Sequence, residues 1–209
     1  AYMTAADQLG LGRTADYNGD NQLGLGRSQQ NIVAGRRFSA ADAYLRPALK
    51  RPNLTLKLKQ FVTKLVIEKS RAIGVELAGP NGQTQTIIAE QEVMVATGAL
   101  NSPHLLMLSG IGPTEQLQKQ GLDVIADAPE VGQNLQDHMS SGVAYHRKQP
   151  GPFVAKARYD RLAINMLTTY FFGKGSAVDF PGGLTGFTKI DPASDVPDIQ
   201  LLFNGAPVN

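Results

Sequence analysis

The stretch Val93-Met94-Val95-Ala96-Thr97-Gly98-Ala99 puts small residues where an apolar run gives way to a helical pattern. A strand delivering small residues to a helix N-terminus brings backbone close to a ligand. The first amide groups of such a helix have no internal partner and carry about half a positive charge, which suits a phosphate. Gly98 and Ala99 have little side chain to bar that approach. A tight turn in any α/β protein reads the same way, so the junction alone does not identify a ligand. Among the three histidines, His104 begins a helix and His146 follows the apolar Val143-Ala144-Tyr145, so both read as surface or packing residues. His138 follows Asp137 directly and is the most informative of the three. Asp16, Asn18 and Asp20 share the alternate spacing of a calcium loop. Asn21 stands where that loop needs Gly and Arg27 where it needs a closing Glu, so these residues read as a polar turn. Cys 0 removes disulfides, thiolate metal sites and a cysteine nucleophile, and leaves the redox compartment undetermined.

These residues need elements to hold them. Ser39-Ala40-Ala41-Asp42 opens a helix, with Ser39 as cap, Asp42 as a short stand-in for the capping-box Glu, and Pro47 marking its decline. Strand-like runs follow at 54–58, 61–68, 73–77 and 84–88. Lys69-Ser70-Arg71 and the turn signal Gly79-Pro80-Asn81-Gly82 separate the last three, which predicts an antiparallel meander. Residues 92–96 do not alternate and predict a strand buried on both faces. Ser102 as cap and Pro103 at the first helical position predict a helix ending at Gly110-Ile111-Gly112-Pro113. A second short helix covers 114–120 and closes at Gly121. A helix over 158–172 and strands at 184–190 and 199–203 complete the pattern. Residues 1–34, rich in Gly, Asn, Asp and Gln, read as extended loop. They hold Gln8-Leu9-Gly10-Leu11-Gly12-Arg13 and an identical copy at 22–27, too short a unit for a solenoid.

Composition sets the bounds. With 209 residues, Lys+Arg 20 against Asp+Glu 18 and a net charge of +2, the chain is not a strongly basic nucleic-acid or membrane-surface protein. Hydrophobic content of 42% with 18% charged residues is that of a globular chain. No apolar run approaches the roughly 18 residues of a membrane span, and no signal peptide is visible at Ala1-Tyr2-Met3-Thr4. The missing initiator Met suggests a piece of a longer chain. Residues 35–59 carry seven basic side chains against Asp42, and 81–150 seven acids against three bases. Solvated faces explain this imbalance more simply than a basic surface facing an anionic cofactor.

The longer string Gly98-Ala99-Leu100-Asn101-Ser102-Pro103-His104-Leu105-Leu106-Met107-Leu108-Ser109-Gly110-Ile111-Gly112-Pro113 closely resembles the second signature of the glucose–methanol–choline (GMC) flavoenzyme family. Gly35-Arg36-Arg37-Phe38-Ser39-Ala40-Ala41-Asp42-Ala43-Tyr44-Leu45 and Arg51-Pro52-Asn53-Leu54 resemble its entry into the cofactor domain. Pro129-Glu130-Val131-Gly132-Gln133-Asn134-Leu135-Gln136-Asp137-His138 resembles another family block, with Glu130 in place of a Gly, and Pro197-Asp198-Ile199-Gln200 a late strand of the substrate domain.

The resemblance implies an α/β (mixed α+β) fold. It comprises 1–34 as an extended intermediate region, 35–137 as part of a Rossmann-like FAD-binding domain with the meander, and 138–209 as the start of an antiparallel-sheet substrate domain. It implies FAD as cofactor and a small-molecule alcohol as substrate, with hydride passing to flavin and the hydroxyl proton to a histidine beyond Asn209, so that no catalytic residue lies in this chain. A cyanohydrin lyase, or an inactive truncated fragment, is the alternative. No nucleic-acid partner and no transmembrane segment are expected. An oligomer, and a cytoplasmic parent with peripheral membrane association, are compatible with the pattern. By the same resemblance Val62 meets the FAD adenine through its backbone, and Ala96, Thr97 and Gly98 line the cofactor, whereas Asn101 and Ser102 cap the helix. His138 and Ser140 belong to the substrate pocket; the competing reading of His138 is a buried residue held by Asp137 or backbone. Choline-specific relatives usually carry Glu where Ser140 stands, so a neutral alcohol is favoured. The family's opening Gly-x-Gly-x-x-Gly is missing. Gly10-Leu11-Gly12-Arg13-Thr14-Ala15 and Gly24-Leu25-Gly26-Arg27-Ser28-Gln29 both lack the third Gly, so this chain alone is expected to bind FAD weakly.

Overall fold

The computed structural model describes residues 2–34, 36–144, 148, 159–173 and 183–203. The chain divides into two units, one formed by Thr55–Ser141 and the other by Ala1–Leu54 with Gly142–Asn209. His146, Arg158 and Gly35 lie outside the described residues.

In the second of these units the first 34 residues are more ordered than an extended loop. Helix α1 covers Tyr2–Gln8 and strand β1 covers Gly24–Arg27. The two copies of the hexapeptide lie side by side. Leu25 N–H donates to the Gly12 carbonyl (3.1 Å), and Thr14 N–H donates to that of Leu25 (3.2 Å). A Cβ at Gly26 would fall 2.8 Å from the Thr14 carbonyl oxygen, so the close approach requires glycine. β1 then pairs antiparallel with β9 (Leu184–Thr188), which pairs with β10 (Ile199–Phe203). Leu25, 2% exposed, is the centre of this small core. The polar pair Ser28 Oγ and Thr185 Oγ1, 2.8 Å apart, is satisfied beside it. A two-stranded ribbon of β2 (Ile32–Val33) and β3 (Arg36–Arg37) leads to a π-helical turn, Ala41–Leu45, and to α2 (Arg46–Ala48). The capping box forms as the sequence indicates. Ser39 Oγ accepts the Asp42 N–H (3.2 Å), and the Asp42 carboxylate accepts the Ser39 N–H (3.2 Å) and hydroxyl (2.6 Å). Helix α5 spans Tyr159–Phe172.

The Thr55–Ser141 unit holds the meander. β4 (Phe61–Glu68), β5 (Arg71–Ala78) and β6 (Thr84–Ile88) are antiparallel in that order. Lys69 and Ser70 make the first turn with φ of 49° and 63°, a mirror-image turn matching strand twist without glycine. Asn81 and Gly82 make the second with φ of 58° and 77°. The register slips between Val62 and Lys64 at a bulge, where Thr63 Oγ1 donates to the Glu76 carboxylate (2.9 Å). Behind the meander, α3 (Gly98–Leu108) packs against β4. The parallel pair β7 (Ile111–Gly112) and β8 (Ala126–Asp127) flanks α4 (Thr114–Lys119), which buries Leu117. Asp127 Oδ1 accepts both the Thr114 N–H (3.1 Å) and hydroxyl (2.8 Å), satisfying the first turn of α4.

The mixed helix-and-sheet class is borne out, and two expected strands are not. Residues 54–58 and 92–96 form no regular element, and no described strand pairs with them. Met94, expected inside a strand buried on both faces, is 82% exposed. The apolar run carries the extended preference, but a parallel strand exists only with neighbours to bond.

Candidate functional site

All six candidate residues fall within the Thr55–Ser141 unit. Ala96, Thr97 and Gly98 follow one another where the apolar segment 92–96 turns into α3, and all are exposed. Val62 lies half-buried on β4, an edge strand of the meander and the strand on which α3 packs. An edge strand turns alternate peptide groups away from its own sheet. Contact with a ligand through backbone at Val62 is therefore compatible with its place.

Helix α3 starts five residues earlier than its Ser-Pro signal suggests. Thr97 is the N-cap, and Pro103 lies inside the helix, not at its first position. Ser102 therefore does not cap from outside. Its Oγ, one turn in, accepts the Thr97 N–H (3.2 Å) and lies 3.1 Å from Thr97 Oγ1. That bond performs from deeper in the helix what a capping-box side chain does for the cap residue's amide. Gly98 has φ +91°, which only glycine adopts readily, and a Cβ there would meet nothing within 4 Å. Glycine is required by conformation, and the space beside it is open. No acidic residue stands in the first turn, so the positive end of this 11-residue helix is unopposed. The amides of a helix's first turn, which have no partner within the helix, the open flank at Gly98 and the edge strand fit an extended anionic cofactor.

His138 and Ser140 are placed differently. Beyond the turn at 129–132 the segment 133–144 has no regular structure and is exposed, and Met139 between them is 99% exposed. His138 is thus not a buried histidine, which corrects that reading; its N–H donates to Asp137 Oδ1 (2.7 Å). Among the described residues no hydrogen bond joins His138 or Ser140 to β4 or α3, so these two are not brought to the α3 terminus by such a tie. The turn before them does pack on the helix, since a Cβ at Gly132 would lie 3.4 Å from Met107 Cε.

Ser109 was not singled out by its sequence context. It is 5% exposed, with Oγ accepting the Leu65 N–H (2.8 Å) and donating to the Leu105 carbonyl (2.6 Å). Its only sequence signal is a small polar residue at a helix end directly before a glycine stop. The polar turn at Asp16 is also structural: its Oδ1 accepts the Asn18 N–H (2.9 Å) and the Gln29 side-chain amide (2.6 Å). These bonds hold its carboxyl below the usual range. Among the described residues no group of three His, Asp or Glu side chains is arranged to hold a metal.

Comparison with known proteins gives concordant results. The family model described as GMC oxidoreductase matches residues 1–140. The oxygen-dependent choline dehydrogenase of Brucella ovis is 43% identical over 206 residues, covering 97% of this chain and 37% of the relative. The chain thus spans little more than a third of the length of such relatives. Among solved structures, an FAD-dependent oxidoreductase from Chaetomium thermophilum matches with a TM-score of 0.75 at 27% identity, over 90% of this chain and 34% of that one. Pyridoxine 4-oxidase from Mesorbium loti matches with a TM-score of 0.57 at 37% identity, over 62% of this chain and 25% of that one.

Proposed function

The chain belongs to the GMC oxidoreductase family, and from that premise we propose that its parent protein oxidises a small-molecule alcohol with FAD as cofactor. The observation that carries the proposal is the acid-free head of α3 at Gly98, with open space beside it and β4 packed against the helix. When bound, FAD supplies the acceptor for the hydride that leaves the alcohol carbon. The residues of this chain do the holding. The backbone at Val62 receives the adenine. Ala96, Thr97 and Gly98 line the cofactor, with the first amides of α3 directed to its negative charge. His138 and Ser140 line the substrate pocket, and neither is assigned the proton transfer.

The names of the relatives bring two alcohols to this site, choline and pyridoxine. Ser140 favours a neutral alcohol, because a hydroxyl gives no charge to offset desolvation of a quaternary ammonium. The full-length protein should release FAD on denaturation, identified by chromatography against authentic FAD. Release of no flavin from a folded, full-length preparation would refute the proposal.

A further inference from the structure

We propose that Ser109 is a positioning residue for the cofactor site, holding β4 and the helix α3 in one fixed relation. The proposal rests on the FAD reading above. Val62 and the Thr97–Gly98 turn lie on two different elements, so one extended cofactor can meet both only if those elements keep their relative placement. The hydroxyl of Ser109 makes the connection. It accepts the N–H of Leu65, three residues along β4 from Val62, at 2.8 Å, and donates to the carbonyl of Leu105, one turn back in α3, at 2.6 Å. Among the described residues no other hydrogen bond joins the meander to α3.

The tie is buried: Ser109 is 5% exposed, Leu65 6% and Leu105 8%. Water therefore does not readily replace it, and an amide left unpaired there costs more than the bond itself contributes. Its position gives it leverage. The tie holds the C-terminal end of α3, eleven residues beyond Gly98, which at helical rise is about 16 Å from the turn that would meet the cofactor. A small rotation at the tied end becomes a larger displacement at the free end. Gly110 closes the same corner: it has φ +81°, and a Cβ would lie 2.6 Å from the Asp123 carbonyl oxygen. The Gly110 carbonyl accepts the Ile125 N–H (2.8 Å), so the helix end is bonded toward 123–125 on one side, and Ser109 bonds it on the strand side.

The test uses full-length apoprotein with Ser109→Ala and Ser109→Thr, titrated with FAD and read by quenching of flavin fluorescence. Visible circular dichroism of the bound flavin is the second readout. The expected result for Ser109→Ala is a Kd raised about tenfold or more, with altered flavin dichroism and an unchanged far-ultraviolet spectrum of the apoprotein. Ser109→Thr keeps the hydroxyl and should restore Kd to within about threefold of wild type. Unchanged Kd and flavin dichroism in a folded Ser109→Ala protein would overturn the proposal, even if its thermal stability fell. Should Ser109→Ala not fold, Ser109→Cys, a weaker donor and acceptor, must bind FAD less tightly than Ser109→Thr, and equal constants would overturn it. Wild-type protein that binds no FAD at all would instead defeat the cofactor reading itself.

Discussion

At the residue scale, the polar side chains separate into those that hold a turn and those free to meet a ligand. Ser140 belongs to the second kind, exposed beside His138 on a segment that no described strand pairs. In the full-length protein Ser140→Glu is expected to shift the ratio of kcat/KM for choline over a neutral alcohol of similar size upward, by about 10²-fold at most. An unchanged ratio would remove Ser140 from the substrate pocket. Asp42 belongs to the first kind. Its bonds to the Ser39 hydroxyl and then to the Ser39 amide, with Arg46 nearby at 2.9 Å, hold its carboxyl below the ordinary value of 3.8. The folded-state value is depressed. The capping box therefore stabilises the fold fully above the ordinary carboxylate range, and that contribution is lost as pH falls through the lower value. An NMR pH titration should show the Ser39 amide shift persisting below the midpoint of a free aspartate. A midpoint at the free value would contradict the cap.

At the element scale, what the sequence reveals depends on whether an element makes its own partners. The meander was legible because alternation, the Asn81-Gly82 turn and three adjacent runs contain the pairing within 61–88. The capping box at Ser39 was legible for the same reason, being local. Residues 92–96 carry an equally apolar run, but a strand's partners are remote in sequence, and none of the described strands supplies one. The start of α3 was misplaced because Ser102-Pro103 has the signature of a first turn, whereas the hydroxyl reaches back to Thr97 from inside the helix. The site was legible as a junction at 96–98; the buried tie at Ser109 was not, since its partner at Leu65 lies 44 positions away. Two variants probe these elements. Gly74→Ala places a Cβ 2.2 Å from the Ile87 carbonyl oxygen, so β5 and β6 must separate. Urea unfolding should show a loss of about 3 kcal/mol, and a loss under about 0.5 kcal/mol would show that the ladder yields freely. Asp127→Ala removes the acceptor for both Thr114 donors and should cost about 1 kcal/mol in the same assay.

At the scale of the whole molecule, each unit carries a small core of its own: Leu25 with Thr185 in one, Leu65, Leu77, Leu105 and Leu117 in the other. Among the described residues, no helix is long and apolar enough to cross a membrane. The proposed function places a cofactor and an alcohol beside the six candidate residues of the unit that contains α3, and a single reaction would join those two ligands. The direct measurement is anaerobic mixing of the full-length protein with a panel holding choline, pyridoxine and neutral primary alcohols, following the oxidised-flavin absorption band. At least one alcohol is expected to bleach the band in a single turnover, with a neutral alcohol faster than choline. A bound flavin that stays oxidised with every alcohol, while a chemical reductant still bleaches it, would contradict the claim that this protein is an alcohol oxidoreductase.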